Sequence, residues 1–151
     1  MRVSAKADYA VRAALELAAA GDGPVKGERI AEAQGIPLKF LENILIELRH
    51  ADLVRTQRGP EGGYWLARPA EEIHLGEVIR AVEGPIASVR GEPAESASYS
   101  GPAESLQNVW IAVRANLRAV VDEVTLADVA SGELPDAIRR LTDHPDAWVH
   151  R

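Results

Sequence analysis

Residues 36–69 decide the fold, and they read IPLKFLENILIELRHADLVRTQRGPEGGYWLARP. Pro37 is tolerated in a first helical turn, so we expect a helix over residues 37–50. Two short β-prone runs, LVRTQ and YWLAR, then flank RGPEGG, which predicts a β-hairpin. Within the helix, four leucines recur every three or four residues, the spacing of a buried helical face: Leu38, Leu41, Leu45 and Leu48.

Two further helices are predicted before this segment. Residues 5–20 are rich in Ala and Leu at helical spacing and end at the stretch GDGP. A shorter helix, ERIAEAQ, ends at Gly35, and the next helix begins after Pro37. Two helices that meet across a glycine-bearing turn predict a helix-turn-helix, and the hairpin after them extends it to a winged helix. We therefore expect a mainly α fold with a small β-hairpin.

The C-terminal part has a different pattern. Residues 74–83 form a predicted amphipathic helix that ends at Gly84, and residues 85–101, rich in Ala, Ser, Gly, Pro and Glu, read as a loop without packed residues. After Pro102, apolar residues are spaced 4, 3, 4, 3 and 4 apart, as in a coiled-coil seam: Leu106, Trp110, Val113, Leu117, Val120 and Val124. The pattern predicts a long dimerisation helix; the alternative is that this face packs on the chain's own winged helix.

These patterns divide the chain into three parts. We expect a winged helix-turn-helix domain over 1–84, a loop over 85–101, and a dimerisation helix with a C-terminal tail over 102–151. The tail carries two more short helix candidates, around 126–129 and 135–141.

Composition excludes several classes of protein. The chain has no cysteine, which removes disulfides, thiolate metal sites and cysteine-ligated iron–sulfur clusters. Its four histidines are scattered, and no phosphate-binding loop, catalytic triad or paired-acid motif is present, so neither a metal site nor an enzyme is expected. No apolar run approaches the ~20 residues of a membrane span, and we expect a cytoplasmic protein.

Charge is unevenly distributed along the chain. The net charge of −6 argues against a nucleic-acid partner, but residues 1–70 hold 10 basic and 9 acidic side chains, whereas residues 71–151 hold 7 and 14. Because phosphate binding depends on where positive charge is displayed, the overall balance does not exclude DNA.

The segment 36–69, together with the opening MRVSAKADYAVRA, resembles the Rrf-type family of bacterial winged-helix transcription regulators, which includes IscR, NsrR and CymR. The resemblance covers at least residues 1–85, and the helix after Pro102 fits the family's dimerisation helix. It implies a homodimeric repressor that binds a two-fold symmetric operator in double-stranded DNA. In winged helices the second helix of the turn enters the major groove, and dimers bind half-sites ~34–36 Å apart.

In the predicted helix over residues 37–50, four residues near the start face outward if the leucines face inward. Lys39 can contact a phosphate or a guanine, Glu42 can accept from a cytosine amino group, and the ring of Phe40 can meet a thymine methyl. Asn43 is the fourth candidate, and the family resemblance points to the first three of these positions. The alternatives are a solvated helix face for Lys39 and Glu42, and core or dimer packing for Phe40.

The hairpin supplies the second group of candidates. Arg58, beside Gly59 and Pro60, stands at a tip thin enough to enter a narrow minor groove, and Arg55 lies on the strand before it. The same residues would also make a plain hairpin, and Glu61 places a negative charge close to the phosphates. We expect Gly62 and Gly63 to take positive φ and to allow close backbone approach. Three residues at the start of the predicted helix over 5–20 are further candidates for phosphate contact: Arg2, Ser4 and Lys6.

In the cluster-binding members of the family, three cysteines in the loop before the long helix hold iron and sulfur. The corresponding loop here has neither cysteine nor histidine, so no cofactor is expected, and Asp8, where some members have an acidic ligand, is expected to be an ordinary helix residue. The signal is left open among a small-molecule effector, a protein partner and the protein's own abundance. A further alternative is a protein-interaction module that has lost DNA binding.

Overall fold

The computed structural model describes all residues from 1 to 151. It contains seven α-helices, one antiparallel hairpin and four short 3-10 turns. No helix combines the length and the apolar character that crossing a membrane would require. In chain order the elements are α1 (Ala5–Ala20), α2 (Gly27–Gln34), α3 (Leu38–His50), β1 (Val54–Gln57), β2 (Gly63–Leu66), α4 (Leu75–Glu83), α5 (Leu106–Val121), α6 (Leu126–Ser131) and α7 (Asp136–Asp143).

One hydrophobic core lies among the first four helices. Helix α1 contributes Leu17 and four buried alanines. Because alanine side chains are small, the other helices can approach α1 closely. Helix α3 contributes a fully buried stripe, which differs by one member from the predicted one: Leu41, Ile44, Leu45 and Leu48. Leu38 is 37% exposed, so its place in the predicted stripe was wrong. It stands in the first turn of α3, and Ile44 completes the buried face instead.

The hairpin is extended by a third backbone segment. Val54 pairs with Leu66 and Gln57 with Gly63, which matches the predicted hairpin to within two residues at each strand end. Val25 also pairs with Tyr64 through two N–H···O bonds of 2.8 Å. This pairing connects the turn before α2 to the outer edge of β2.

Close backbone approach requires the two consecutive glycines at the start of β2, of which Gly62 precedes the strand and Gly63 is its first residue. A Cβ on Gly63 would lie 2.7 Å from the Val25 carbonyl oxygen, and φ at this residue is +153°. A Cβ on Gly62 would lie 2.0 Å from the Gln57 carbonyl oxygen. Both distances are far below any real Cβ contact. The expected positive φ is thus found at Gly63 but not at Gly62, where crowding alone excludes a side chain.

The segment after α5 returns to the N-terminal core. Leu126 is fully buried in the main core, its N–H donates to the Ile73 carbonyl at 2.9 Å, and α6 packs against α1. Val124 is 3% exposed and follows the end of α5. Its predicted place on the dimerisation seam was therefore wrong, because its side chain is used within the chain. The division of the chain at residues 84 and 101 stays a prediction. Helix α6, which this division assigns to the C-terminal part, packs on the domain predicted over 1–84.

Helix α5 is the only α-helix of the fold without a buried residue. Although it is 16 residues long and rich in Val, Leu and Ile, none of its residues is buried. The seam residues within it are partly or largely exposed: Leu106, Trp110, Val113, Leu117 and Val120. Val109 beside them is 51% exposed. The chain's own winged helix therefore does not cover this apolar helix.

The loop over 85–101 is packed, contrary to expectation. Ala94 and Ala97 are buried, with a 3-10 turn between them. Gln107 of α5 donates from Nε2 to the carbonyl oxygens of Glu95 at 3.0 Å and Ala97 at 2.7 Å. Arg114 of α5 pairs with the Glu95 carboxylate. The prediction missed this because the composition of the loop does not show that Gln107 and Arg114, later in the chain, bind it.

Candidate nucleic-acid interface

The starts of α2 and α3 meet the hairpin at Gly27. A Cβ on this buried glycine would lie 3.6 Å from the Tyr64 ring of β2 and 3.9 Å from a methyl group of Leu38. At the same place, the Lys26 ammonium donates to the carbonyl oxygen of Gly59 at the hairpin tip, at 2.9 Å. The residues just before α2, the first turn of α3 and the tip are thus neighbours in space.

The hairpin tip is exposed. Arg58, Gly59 and Pro60 are all accessible, and so is Glu61. Gly59 has φ of +102°, and its carbonyl oxygen accepts from the Gly62 N–H at 3.0 Å as well as from Lys26. These two hydrogen bonds close the turn. Arg58 therefore stands on a short, ordered loop.

Arg55 lies on the solvent face of the hairpin. Its partner in the register is Trp65, and side chains alternate between the two faces of a strand pair. The neighbouring pair, Thr56 and Tyr64, is on the face that packs on α2, which leaves Arg55 outward and exposed. The structure therefore has both hairpin arginines accessible to a ligand.

The predicted readers of α3 are all accessible, but Phe40 has a partner. Lys39, Glu42 and Asn43 are exposed. Phe40 is 47% exposed and meets the ring of Tyr9 edge-on, with ring centroids 5.9 Å apart. It is thus not a core residue, and its free edge lines a shallow depression of about 550 Å³. Lys6, Asn43, Ile44, Ile46, Glu47 and His50 complete that depression.

The three candidates at the start of the chain differ in how free they are. Ser4 caps α1, since its hydroxyl accepts from the Ala7 N–H at 3.0 Å, and the same hydroxyl donates to Glu83. The Lys6 ammonium lies 2.9 Å from the Glu47 carboxylate. Arg2 is exposed and has no ion pair within 4.0 Å. Ser4 and Lys6 are therefore engaged within the chain, and only Arg2 keeps an uncompensated charge.

Cations in the helix-turn-helix and hairpin share one property, the absence of a carboxylate partner. In the C-terminal half, most arginines are paired with Asp or Glu, including Arg80, Arg114 and Arg118. Between residues 26 and 58, no cation has a carboxylate within 4.0 Å: Lys26, Arg29, Lys39, Arg49, Arg55 and Arg58. Lys26, Arg29 and Arg49 were missed as candidates because ion pairing depends on the fold, which the sequence does not display.

The donor set does not fit an iron–sulfur cluster. The chain contains no thiolate, and no three His, Asp or Glu side chains are grouped closely enough to hold a metal ion. Asp8 lies 3.0 Å from Arg12 one turn later on α1. It is an ion-paired helix residue, as expected.

A helix-turn-helix followed by a hairpin, with uncompensated cations on both, defines a winged-helix DNA-binding protein. The sequence profile of the Rrf2 family, described as iron-dependent transcriptional regulators, matches residues 3–132, and the chain belongs to this family. A candidate HTH-type transcriptional regulator of Mycobacterium tuberculosis is 53% identical over 144 residues, which cover 95% of this chain and 89% of that protein.

Two solved structures have the same fold. The structure of CymR, the global cysteine regulator of B. subtilis, has a TM-score of 0.74 and 35% identity, covering 87% of this chain and 97% of that one. The structure of IscR from T. potens has a TM-score of 0.69 and 34% identity, covering 100% of this chain and 93% of that one. The predicted fold and family are confirmed. The protein is a DNA-binding transcriptional regulator and not an enzyme, and the alternative of a module without DNA binding is not favoured.

Proposed function

We propose that the protein is a homodimeric repressor that binds a two-fold symmetric operator in double-stranded DNA. The observation that carries the proposal is the set of six cations without carboxylate partners on the residues from 26 to 58. An uncompensated cation near the surface releases counterions from DNA when it meets a phosphate, whereas a paired one first has to lose its partner. Cytoplasmic localisation is part of the proposal, because that is where a bacterial operator is reached.

Helix α3 enters the major groove in this proposal. Lys39 and Glu42 read base edges close to the start of the helix, where recognition helices make their base contacts. Asn43 and the free edge of Phe40 lie within a turn of them and supply a further polar and an apolar contact. Arg29 and Arg49, at the neighbouring helix and at the end of α3, contact phosphates and fix the helix in the groove.

The hairpin is the wing. Arg58 enters the minor groove and Arg55 meets the backbone beside it, because an arginine is attracted to the negative potential of a narrow groove. Lys26 holds the carbonyl oxygen of Gly59 and keeps the tip in one conformation. Arg2 supplies a phosphate contact from the front of α1, with Ser4 and Lys6 in weaker, supporting positions. Glu61 is exposed at the tip, and binding in this mode requires its carboxylate to point away from the phosphates, because a negative charge there would oppose binding.

The dimer forms through α5. Its exposed Val, Leu and Trp side chains repeat with the spacing of a coiled-coil seam, and no other part of the chain buries them. The dimerisation residues are Leu106, Trp110, Val113, Leu117 and Val120. The inducing signal does not act through a cysteine-ligated cluster; it is a small-molecule effector, a protein partner or the protein's own abundance.

Selection from a library of random DNA duplexes tests the proposal. We expect the protein to enrich a two-fold symmetric sequence whose half-sites are ~34–36 Å apart, and to sediment as a dimer without DNA. Binding to that sequence should weaken steeply with salt. Failure to enrich any sequence at low salt, or sedimentation as a monomer, would contradict the proposal.

A further inference from the structure

A single carboxylate, that of Asp122, joins the winged helix to the end of α5. Arg80 of α4 donates to it twice, from Nη2 to Oδ1 at 2.7 Å and from Nη1 to Oδ2 at 3.4 Å. Arg118, one turn earlier on α5, lies 3.6 Å from Oδ2. Two arginines on two different helices therefore share one acceptor. The hydrogen bond from Arg80 holds the pKa of Asp122 below its usual range, so the group is ionised at neutral pH.

The carboxylate also sits directly on the backbone of α4. A Cβ on Gly76, in the first turn of α4, would lie 1.9 Å from Oδ1 of Asp122 and 3.0 Å from a guanidinium nitrogen of Arg80. Only glycine leaves room for this contact. Two separate contacts therefore fix the position of the Asp122 carboxylate: the close approach to Gly76 and the ion pair with Arg80.

The joint around Asp122 is the main attachment of α5 to the winged helix. Beyond it, the Leu75 N–H donates to the Val124 carbonyl and the Leu126 N–H to the Ile73 carbonyl, both at 2.9 Å. The other end of α5 contacts the loop over 85–101 and has no buried residue. The helix is thus joined to the winged helix at its Asp122 end, and its other end is held by the loop over 85–101.

We propose that Asp122, wedged between Gly76 and Arg80, is a positioning residue that sets the angle between the winged helix and α5, and so selects the operator half-site spacing. The proposal rests on the dimer through α5 proposed above. An α-helix of 16 residues is about 24 Å long. A tilt of about 10° at the Asp122 end moves the other end by about 4 Å, which exceeds the rise of about 3.4 Å for one base pair.

A geometric role distinguishes this ion pair from an ordinary surface pair. Exposed pairs contribute little to stability, and Arg80 and Asp122 are each about a third exposed, at 37% and 32%. We therefore expect substitution to change the distance between the two winged helices of a dimer far more than it changes the unfolding transition. Inter-domain distance and operator spacing are readouts that a purely stabilising role would not move.

Distance measurement in the dimer tests this directly. Because the chain has no cysteine, Glu32→Cys on the exposed surface of α2 gives one spin label per protomer. Double electron–electron resonance on the free dimer should give one narrow distance in the labelled wild type. Asp122→Asn and Gly76→Ala should each shift or broaden it by about 4 Å. Glu123→Gln, which removes a neighbouring exposed carboxylate without an ion pair, should leave it unchanged.

Binding to duplexes of altered spacing is the second arm. With the sequence selected by the wild type, and versions with one base pair added or removed between half-sites, the wild type should prefer one spacing. Asp122→Asn should bind the selected duplex about tenfold more weakly and lose this preference. Arg80→Gln serves as a second variant should Asp122→Asn not fold, as judged by its thermal unfolding, and the same result is expected.

The outcomes separate the two proposals. A dimeric wild type that binds its selected DNA, with distances and spacing preference unaltered in folded Asp122→Asn or Arg80→Gln, overturns the positioning role alone. A wild type that is monomeric or binds no DNA overturns the proposed function and this inference with it.

Discussion

The ammonium group of Lys26 and the carbonyl oxygen of Gly59 are 2.9 Å apart, although 33 residues separate them in sequence. This hydrogen bond links the residue before α2 to the tip of the hairpin. The same carbonyl accepts from the Gly62 N–H, so the lysine completes the turn that presents Arg58. The order of the proposed wing therefore depends on a residue of the helix-turn-helix.

Replacement of Lys26 by Met should loosen the tip and weaken DNA binding, because both the hydrogen bond and the charge are lost. We expect faster hydrogen exchange at the Gly62 amide and about tenfold weaker binding to the selected duplex. Lys26→Arg keeps a donor and a charge and should resemble the wild type. Unchanged exchange at Gly62 in Lys26→Met would mean that Lys26 does not order the tip.

Arg58→Ala should remove one phosphate or minor-groove contact per protomer. Binding is expected to weaken by about tenfold, with the slope of log affinity against log salt reduced by about 1 for each protomer. The matched control is Arg140→Ala on α7, an exposed arginine that also lacks an ion pair but lies outside the proposed interface. Fluorescence anisotropy titrations over a range of salt provide the measurement. Equal losses in the two variants would argue against a wing contact.

Glu42→Ala should change which sequence is bound more than how tightly DNA is bound. A carboxylate that accepts from a cytosine discriminates against other bases by ~1–3 kcal/mol, so its loss should relax the preference at one base pair of each half-site. Repeating the duplex selection with the variant measures this. Glu32→Ala on α2, also exposed, is the control and should select the wild-type sequence. An unaltered consensus for Glu42→Ala would place Glu42 on a merely solvated face.

Sequence reasoning was most successful where the pattern itself carries the structure. Leu41, Leu45 and Leu48 were correctly placed in the core by their spacing, and RGPEGG was correctly read as a hairpin tip. The predictions were wrong at the ends of the apolar repeats. Leu38 and Val124 both continue a repeat in the sequence, yet Leu38 is exposed at the start of α3 and Val124 turns inward after α5 ends. A repeat shows periodicity but not where the helix stops.

Contacts between distant residues were not predictable at all. Nothing local to Gly63 indicates that Val25 lies against it, and nothing near Asp122 indicates Gly76. The same holds for charges: Lys6 and Arg58 look equally free in the sequence, and only the fold pairs Lys6 with Glu47. Residue types thus identified candidate ligands for DNA, whereas their freedom to bind it depends on tertiary neighbours.

Gly63→Ala should destabilise the protein more than Gly59→Ala. Both glycines have positive φ, but only at Gly63 would a Cβ meet backbone, at 2.7 Å from the Val25 carbonyl oxygen. Gly59→Ala carries the conformational strain alone, about 1 kcal/mol, whereas Gly63→Ala adds a clash and should cost about 3 kcal/mol. Urea unfolding measures the difference. Equal costs would imply that Val25 moves away from β2 without penalty.

Glu77 should make stability depend on pH in the acid range. Burial acts to raise the pKa of its carboxyl, but hydrogen bonds from the His74 backbone N–H and from Arg68 outweigh it and hold the pKa below its usual range. A carboxyl with a lowered pKa in the folded state stabilises the protein above the unfolded pKa, about 4.3 for glutamate, and loses that contribution as pH falls through the folded value.

Glu77→Gln removes this titration. The variant should be less stable than the wild type at about pH 7, and the difference should shrink as the pH falls through the folded pKa of Glu77, because the wild-type carboxyl then becomes protonated as well. Urea unfolding at a series of pH values measures both curves. Glu71→Gln, a neighbouring exposed glutamate without an ion pair, should parallel the wild type. A Glu77→Gln curve that stays parallel to the wild type through the whole acid range would show that the hydrogen bonds to Glu77 do not favour its charged form.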